Sequence, residues 1–295
     1  MGKIIGIITA RMISSRLPGK VMKKICGKSI FALHVERMKS VNDLAGIYLA
    51  TSKNKRNGPL IRECKKLKVK YYQGSEEDVL ERHISILIKE RADAALRVTC
   101  DMPLFDIDSA SRLVKIFKKK YYDYVFVKNM TMVQGTIPEL ISQKAMTDIH
   151  QNYKGPAITQ PIKENMKKYK TKGIEIDSQL CRPEYRLTLD YPQDLKLMDF
   201  IYKKLYKAKA ISLFDVYKLL DDNPDVVKIN THVQVKGVVK YSDAFLYVPE
   251  FSIAHSGNML VFLDSNKSRI SLEKFRDKIN TLLSKTPETK RLKII

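Results

Sequence analysis

Cysteine is scarce in this 295-residue chain: Cys26, Cys64, Cys100 and Cys181 lie far apart, with no C-x-x-C pair. The five histidines, His34, His83, His150, His232 and His255, show no H-x₃-H spacing. These absences argue against a disulfide framework and a zinc site, and they fit a reduced, cytoplasmic compartment. No apolar run approaches the roughly 20 residues that span a bilayer, so no transmembrane segment is expected. The N-terminus carries one lysine and then "IIGII", with no small-residue cleavage pattern behind it, and reads as a first strand rather than a signal peptide. Internal repeats and low-complexity tracts are missing. A G-x-x-x-x-G-K-[ST] loop is also missing, which argues against P-loop ATPase chemistry.

Positive charge is abundant. The formal net charge is +22, from 54 Lys and Arg against 32 Asp and Glu. Much of it is spread over helix-like segments as solvated faces, but it also suits an anionic substrate, a nucleic acid or a membrane surface. Nucleic acid is not expected as a partner, because no aromatic-interleaved basic motif, helix-turn-helix or heptad after a basic block is present.

The first 130 residues alternate. Short β-rich runs occur at Ile4–Thr9, Ile47–Ala50, Val69–Tyr72, Ala94–Thr99 and Tyr124–Val127, with helix-like segments at Ile30–Lys39, Pro59–Leu67, Asp78–Glu90 and Ser109–Lys119 between them. Runs such as "IIGII" are apolar without clean alternation, as in strands covered on both faces. This spacing predicts an α/β fold with a mostly parallel sheet sandwiched by helices, whose ligand edge carries the C-terminal ends of the strands. Residues 131–185 are less regular. A strand at Tyr185–Asp190, a helix from Pro192 and a helix at Ser212–Leu220 restore the pattern. After Asn230, "HVQVKGVVKY" alternates at period two, "MLVFLD" is apolar and "SLEKFRDKINTLLSK" reads as a capped helix. Two domains are expected, 1–230 and a small α+β C-terminal extension, 231–295.

Four stretches carry chemistry. "RMISSRLPGK" (11–20) follows the first strand and holds Arg11, Arg16 and Lys20, with Ser14 and Ser15 as hydroxyl donors and Pro18-Gly19 as a turn. Two forked guanidiniums and an ammonium suit a polyphosphate if the loop folds back. "LRVTCDMPLFD" ends a strand in Asp101, and "YRLTLDYPQDLKLM" ends one in Asp190. Strand-end carboxylates on one sheet edge can hold Mg²⁺, which takes one or two carboxylates along with phosphates and water. Asp106 and Asp108 read as helix caps, and Asp194 as a first-turn residue favouring the helix dipole. In "GSEEDVLERH" (74–83), Ser75 followed by three acids reads as a helix start.

Together, "IIGIITARMISSRLPGKVMKKICGKSI", "LATS", "QGSEEDVLERH", "LRVTCDMPLFD" and "RLTLDYPQDLKLM" resemble, in order, the cytidylyltransferases of the spore-coat-polysaccharide type, relatives of the 3-deoxy-manno-octulosonate and acylneuraminate enzymes. The resemblance covers about 1–230. It implies a Rossmann-like nucleotide-diphospho-sugar transferase fold, CTP as substrate, Mg²⁺ as cofactor and a CMP-activated acidic sugar or related acid as product. Carried over, Arg11, Arg16 and Lys20 would hold the triphosphate, Asp101 and Asp190 the metal, and Thr51, Ser52, Gly74 and Ser75 would approach the cytidine. An acidic small-molecule acceptor and, by analogy, a homodimer follow as expectations.

The chain departs from that family in three places. Cys100 stands where a Gly usually precedes the first metal aspartate, and its thiol is expected to pack. "GTIPELIS" replaces a G-L-D-V-E motif, with Ile137 at the acidic position and Glu139 retained. "GPAITQPI" stands in place of an E-H-V-T stretch. Three other readings stay open: a nucleotidyltransferase using another NTP and a sugar phosphate, a non-catalytic nucleotide-sugar-binding protein, and a basic membrane- or glycan-associated assembly protein.

Overall fold

The computed structural model describes residues 2–128, 133, 135–153, 158–176, 180, 182, 185–231, 233, 236–241, 244–256, 259–264 and 269–270. The chain separates into two compact units, Met1–Ile229 and Asn230–Ile295. The larger unit is built on a seven-stranded sheet of order β5-β4-β1-β6-β8-β7-β9. Its strands are β1 (Ile4–Thr9), β4 (Ile47–Ser52), β5 (Lys70–Gly74), β6 (Ala94–Thr99), β7 (Tyr124–Val127), β8 (Glu139–Ser142) and β9 (Thr171–Ile174); β2 (Lys24–Ile25) and β3 (Lys28–Ser29) form a separate hairpin. All pairings in the large sheet are parallel except those of β8, which runs antiparallel to both β6 and β7.

Each face is covered by helices, which explains the unbroken apolar character of β1. Ile4 and Ile8 join one core layer with α1 (Ile30–Lys39), α2 (Gly58–Lys66), α4 (Ile107–Lys119), α7 (Pro192–Leu205) and α8 (Leu213–Asp221). Ile5 and Ile7 join the other, under α3 (Val79–Glu90), α5 (Gln143–Asn152) and α6 (Gln160–Glu164). Ser29 caps α1 by accepting from the Ala32 N–H at 3.0 Å, and Asp106 caps α4 by accepting from Ser109 at 2.9 Å, satisfying N–H groups that lack helical partners. The chain moves from β1 to β4 and β5 on one side, then returns to place β6 on the other. The C-terminal ends of β1 and β6 therefore flank the point where strand order reverses, the position at which open α/β sheets bind ligands.

Three expectations change. Residues 185–190 do not form a strand of the sheet; only a single bridge occurs, at Arg186. Their backbone groups are taken elsewhere: the Leu189 N–H donates to Asp101 O (2.7 Å), Leu189 O accepts from Lys20 Nζ (2.9 Å) and the Asp190 N–H donates to Asp194 Oδ2 (2.9 Å). Next, α3 begins at Val79 with Asp78 as its cap, accepting from Glu81 N at 2.8 Å, so Glu76 and Glu77 precede the helix rather than filling its first turn. Finally, the Asn-Pro break at 223–224 opens a further helix, α9 (Pro224–Thr231), with proline in the first turn, where its missing N–H costs nothing.

The smaller unit contains an antiparallel sheet, β10 (Lys236–Tyr241), β11 (Ala244–Ser256), β12 (Met259–Asp264) and β13 (Arg269–Ile270), in that order. The helix read at 271–285 lies outside the described residues. Among the described residues, no helix is long and apolar enough to cross a membrane.

Candidate functional site

The loop after β1 folds back on itself. The Gly19 N–H donates to Met12 O (3.1 Å), and Gly19 sits at φ 66°, a left-handed conformation that glycine adopts without a Cβ clash. Ser14 Oγ accepts from the Leu17 N–H (3.2 Å), and Leu17, only 5% exposed, pins the loop to the core. Ser15 and Arg16 face solvent. Asn57, which the sequence reading did not single out, fixes the loop from outside: its Oδ1 accepts from the Met12 N–H (2.8 Å) while its Nδ2 donates to Ser52 O (3.0 Å) and Ser52 Oγ (2.9 Å). The amide is 1% exposed and ties the loop to the end of β4.

Two carboxylates meet beside this loop, Asp101 just past the end of β6 and Asp190 just before α7. Lys20 Nζ lies 2.9 Å from Asp190 Oδ1 and 3.8 Å from Asp101 Oδ2, so one ammonium spans both. Arg16 Nη2 reaches the same Asp190 oxygen at 2.8 Å, and its guanidinium stacks 5.2 Å over the Tyr191 ring. Thr99 donates its hydroxyl to Asp101 Oδ1. Behind Asp190, the fully buried Asp194 takes a forked pair from Arg186 (2.8 and 3.0 Å) and accepts the N–H groups of Asp190 and Tyr191, both at 2.9 Å. Asp194 thus does more than favour a helix dipole: it sets the backbone that presents Asp190. Arg186 was also missed, since nothing in the spacing of "YRLTLDYPQDL" shows that it turns back onto Asp194.

Arg11 does not join Arg16 and Lys20. It pairs with Glu76 at 3.5 Å, on the side of the loop that follows β5. There Gly74 ends the strand where a Cβ would meet Glu81 Oε2 at 2.4 Å and Arg82 Cγ at 2.8 Å, so a side chain would collide with α3. The exposed Ser75 donates its N–H to Glu81 Oε2 (3.0 Å), and Arg82 donates to Ser75 O and Glu76 O. Burial and the neighbouring Arg11 both lower the Arg82 pKa. Thr51 and Ser52 are buried at the end of β4; Ser52 is held by Asn57, and Thr51 Oγ1 is sealed without a hydrogen-bond partner.

Two histidines underlie the site. His83 donates from Nδ1 to Val79 O (2.8 Å), which leaves Nε2 to accept from the Thr9 hydroxyl (3.1 Å). Burial and the nearby Arg97 guanidinium lower its pKa to about 3, so it is neutral. His34 donates to Ile30 O (3.0 Å), and burial lowers its pKa to about 4. Cys100 packs in the core, 3% exposed, with its thiol 3.8 Å from His34 Nδ1; burial pushes the thiol pKa far above its ordinary value. Ile137 is partly buried against the core, and Glu139 on β8 stands opposite Arg97 on β6.

Among the described residues, no cluster of three or more His, Cys, Asp or Glu is built to hold a metal. The donors around Lys20 are two carboxylates, without sulfur or imidazole. That all-oxygen pair fits a hard dication such as Mg²⁺, which completes its shell with water and substrate phosphate.

The sequence matches the model of the cytidylyltransferase family over residues 5–219. An uncharacterized protein of Methanocaldococcus jannaschii is 32% identical over 238 residues, spanning 79% of this chain and 97% of the relative. The spore coat polysaccharide biosynthesis protein SpsF of Bacillus subtilis is 26% identical over 234 residues, spanning 76% and 97%. In fold, the chain is similar to a cytidylyltransferase from Leptospira borgpetersenii, with a TM-score of 0.71 at 23% identity over 77% of this chain and 97% of that one.

Proposed function

Because the chain belongs to the cytidylyltransferase family, we propose that it transfers CMP from CTP to an acidic sugar of the ulosonate type or a related acid, releasing pyrophosphate, in the synthesis of a surface glycan precursor. The observation that carries this reading is the meeting of Asp101 and Asp190 around Lys20 at the strand-order reversal, beside a basic loop.

Transfer needs an acceptor oxygen to attack the α-phosphorus of CTP in line. A new O–P bond forms as the bond from the α-phosphorus to the bridging oxygen of pyrophosphate breaks, and an acceptor hydroxyl gives up its proton to water. Positioning and charge neutralisation dominate such a step. Arg16 and Lys20, which rest on Asp190, would exchange that carboxylate for triphosphate oxygens and take charge off the departing pyrophosphate. Arg11, paired with Glu76, would approach from the other side of the loop. Asp101 and Asp190 would hold Mg²⁺, which supplies charge neutralisation and lowers the pKa of an acceptor hydroxyl. Charge balance supports this role. Arg16, Lys20 and Arg186 are matched by Asp101, Asp190 and Asp194, so a triphosphate entering the site needs further cationic charge. Arg186 and Asp194 would keep the Asp190 backbone fixed while its partners change. His83, neutral and committed to Thr9 and Val79, is a scaffold rather than a base.

Thermal unfolding with Mg²⁺ and each of CTP, UTP, GTP and ATP tests the nucleotide half. A ligand at about 100 times its Kd adds about 2.7 kcal/mol of stability. A Mg²⁺-dependent rise selective for CTP, weakened in Arg16→Ala and accompanied by pyrophosphate release with ulosonates, is the expected result. An equal response to all four nucleotides, or none, refutes the reading.

A further inference from the structure

On the sheet face covered by α3, α5 and α6, the apolar layer gives way to a polar cluster close to the site. Glu139 Oε2 accepts from Arg97 Nη1 at 2.7 Å, and its Oε1 accepts from the Tyr124 hydroxyl at 2.7 Å and from Lys163 Nζ at 3.0 Å. Burial alone would push the Glu139 carboxyl up, but Arg97, Lys163 and Tyr124 outweigh it and hold it below the usual carboxylate range.

Three features separate this cluster from a closed structural ion pair. The first is place. Arg97 shares its face of β6 with Thr99, the residue that donates to Asp101, and alternate residues on a strand lie roughly 6.6–6.8 Å apart. Across the sheet, Ile7 pairs with Arg97 and Thr9 with Thr99, so the cluster begins one side chain below the strand ends that flank the reversal. The second is charge. Two cations share one carboxylate, leaving a net charge of +1; Tyr124 is neutral, and so is His83 beside Arg97. The third is hydrogen bonding. Arg97 Nε is shut from solvent without a partner, while the side chain as a whole remains 18% exposed and that of Lys163 49%. A buried donor without a partner is costly, and a network serving stability alone would close it.

We propose that Arg97 and Lys163 bind the anionic group of the acceptor, a carboxylate or a phosphate, and thereby select charged acceptors over neutral analogues, with Glu139 and Tyr124 as positioning residues that hold the guanidinium. A guanidinium and an ammonium together suit an oxygen-acid anion, which restores neutrality to the cluster. The inference rests on the CMP-transfer reading for the identity of the bound molecule, but not for the binding of an anion.

The test titrates the full-length protein, with and without CTP, against 3-deoxy-manno-octulosonate, its methyl ester and glucose 1-phosphate by calorimetry, and follows pyrophosphate release with Mg²⁺. One charged probe binds the wild type about tenfold or more tighter than the ester, and which one binds distinguishes carboxylate from phosphate. Lys163→Gln, at a half-exposed position, raises the KM of that probe about tenfold while kcat changes less than about threefold, and the CTP-induced thermal shift stays as in the wild type. The double variant Arg97→Gln/Glu139→Gln removes both buried charges together, so neither is left unpaired, and it abolishes discrimination between the charged probe that binds and the ester. Failure of both charged probes to bind tighter than the ester, or unchanged binding in both variants, overturns the inference. Protein that fails to bind CTP yet keeps Lys163-dependent anion binding refutes the nucleotide reading and leaves the anion site standing.

Discussion

Acid should unfold this protein earlier than its carboxylates require, and the cause is two histidines. His34 and His83 are buried and neutral, with pKa values lowered to about 4 and about 3. In the unfolded chain each returns to about 6.5. Below pH 6.5 the unfolded state therefore binds more protons than the native state, and falling pH favours unfolding. The stability is fully present above pH 6.5 and is lost as pH drops toward the folded-state values. Between pH 8 and pH 5 each histidine withdraws about 2 kcal/mol, about 4 kcal/mol together, a large share of the 5–15 kcal/mol typical of a folded domain. The carboxyls of Asp78, Glu81 and Glu139 have lowered pKa values, so their contributions are lost only below the ordinary carboxylate range, and the window from pH 8 to 5 isolates the histidines. Urea unfolding at pH 8, 6.5, 5.5 and 5 measures the slope. His83→Gln lowers stability at pH 8, since Thr9 and Val79 lose their partner, but its loss between pH 8 and 5 falls to about half that of the wild type. His34→Gln does the same. A wild-type loss below about 1 kcal/mol, or the full slope retained in both variants, refutes the reasoning.

Asn57→Ala removes three hydrogen bonds and orphans the Met12 N–H; it should cost about 2–4 kcal/mol in urea unfolding and raise the Kd for CTP, because the basic loop loses its anchor. Gly135→Ala should cost about 3 kcal/mol or more, read as a fall in Tm: Gly135 sits at φ 94°, and a Cβ would meet Thr188 N at 2.5 Å and the Leu187 carbonyl carbon at 2.6 Å, both backbone atoms. Asp101→Asn should change stability by less than about 1 kcal/mol, since its ion pair with Lys20 is long and partly exposed, while pyrophosphate release falls by about a hundredfold or more. Near-normal turnover in that variant would remove Asp101 from the metal assignment.

Much of the architecture was legible because physical chemistry writes it locally. Strand β1 is apolar on both faces, as a strand under two helical layers must be, β6 is so apart from Arg97 and Thr99, and the intervening amphipathic segments give the crossovers that make their neighbours parallel. Caps such as Asp106 and turn glycines such as Gly19 announce themselves in a few residues. The antiparallel β8 did not, for it is four residues long and its first residue, Glu139, is charged; its partners Arg97, Tyr124 and Lys163 make that residue acceptable inside a sheet. Residues 185–190 look like a strand because their composition is β-rich, yet their hydrogen bonds go to Asp101, Lys20 and Asp194.

The same division runs through the site. Sequence alone supplied the chemistry: a basic loop after the first strand, and aspartates at 101 and 190 after apolar runs. That Lys20 and Asp190, 170 positions apart, share a hydrogen bond was decided by the fold. So was the separation of Arg11 from Arg16, two residues five apart that the loop sends to different carboxylates. Asn57, Arg186 and the Arg97–Glu139 pair carry no local signature, because each acts through partners or backbone groups that no spacing rule reveals, whereas Asp194 is legible as a first-turn acid and only its forked pair with Arg186 is not. Residue type sets which interactions a side chain can make; which of them it makes depends on what packing brings within about 3 Å, and that was settled only when the strands and loops came together.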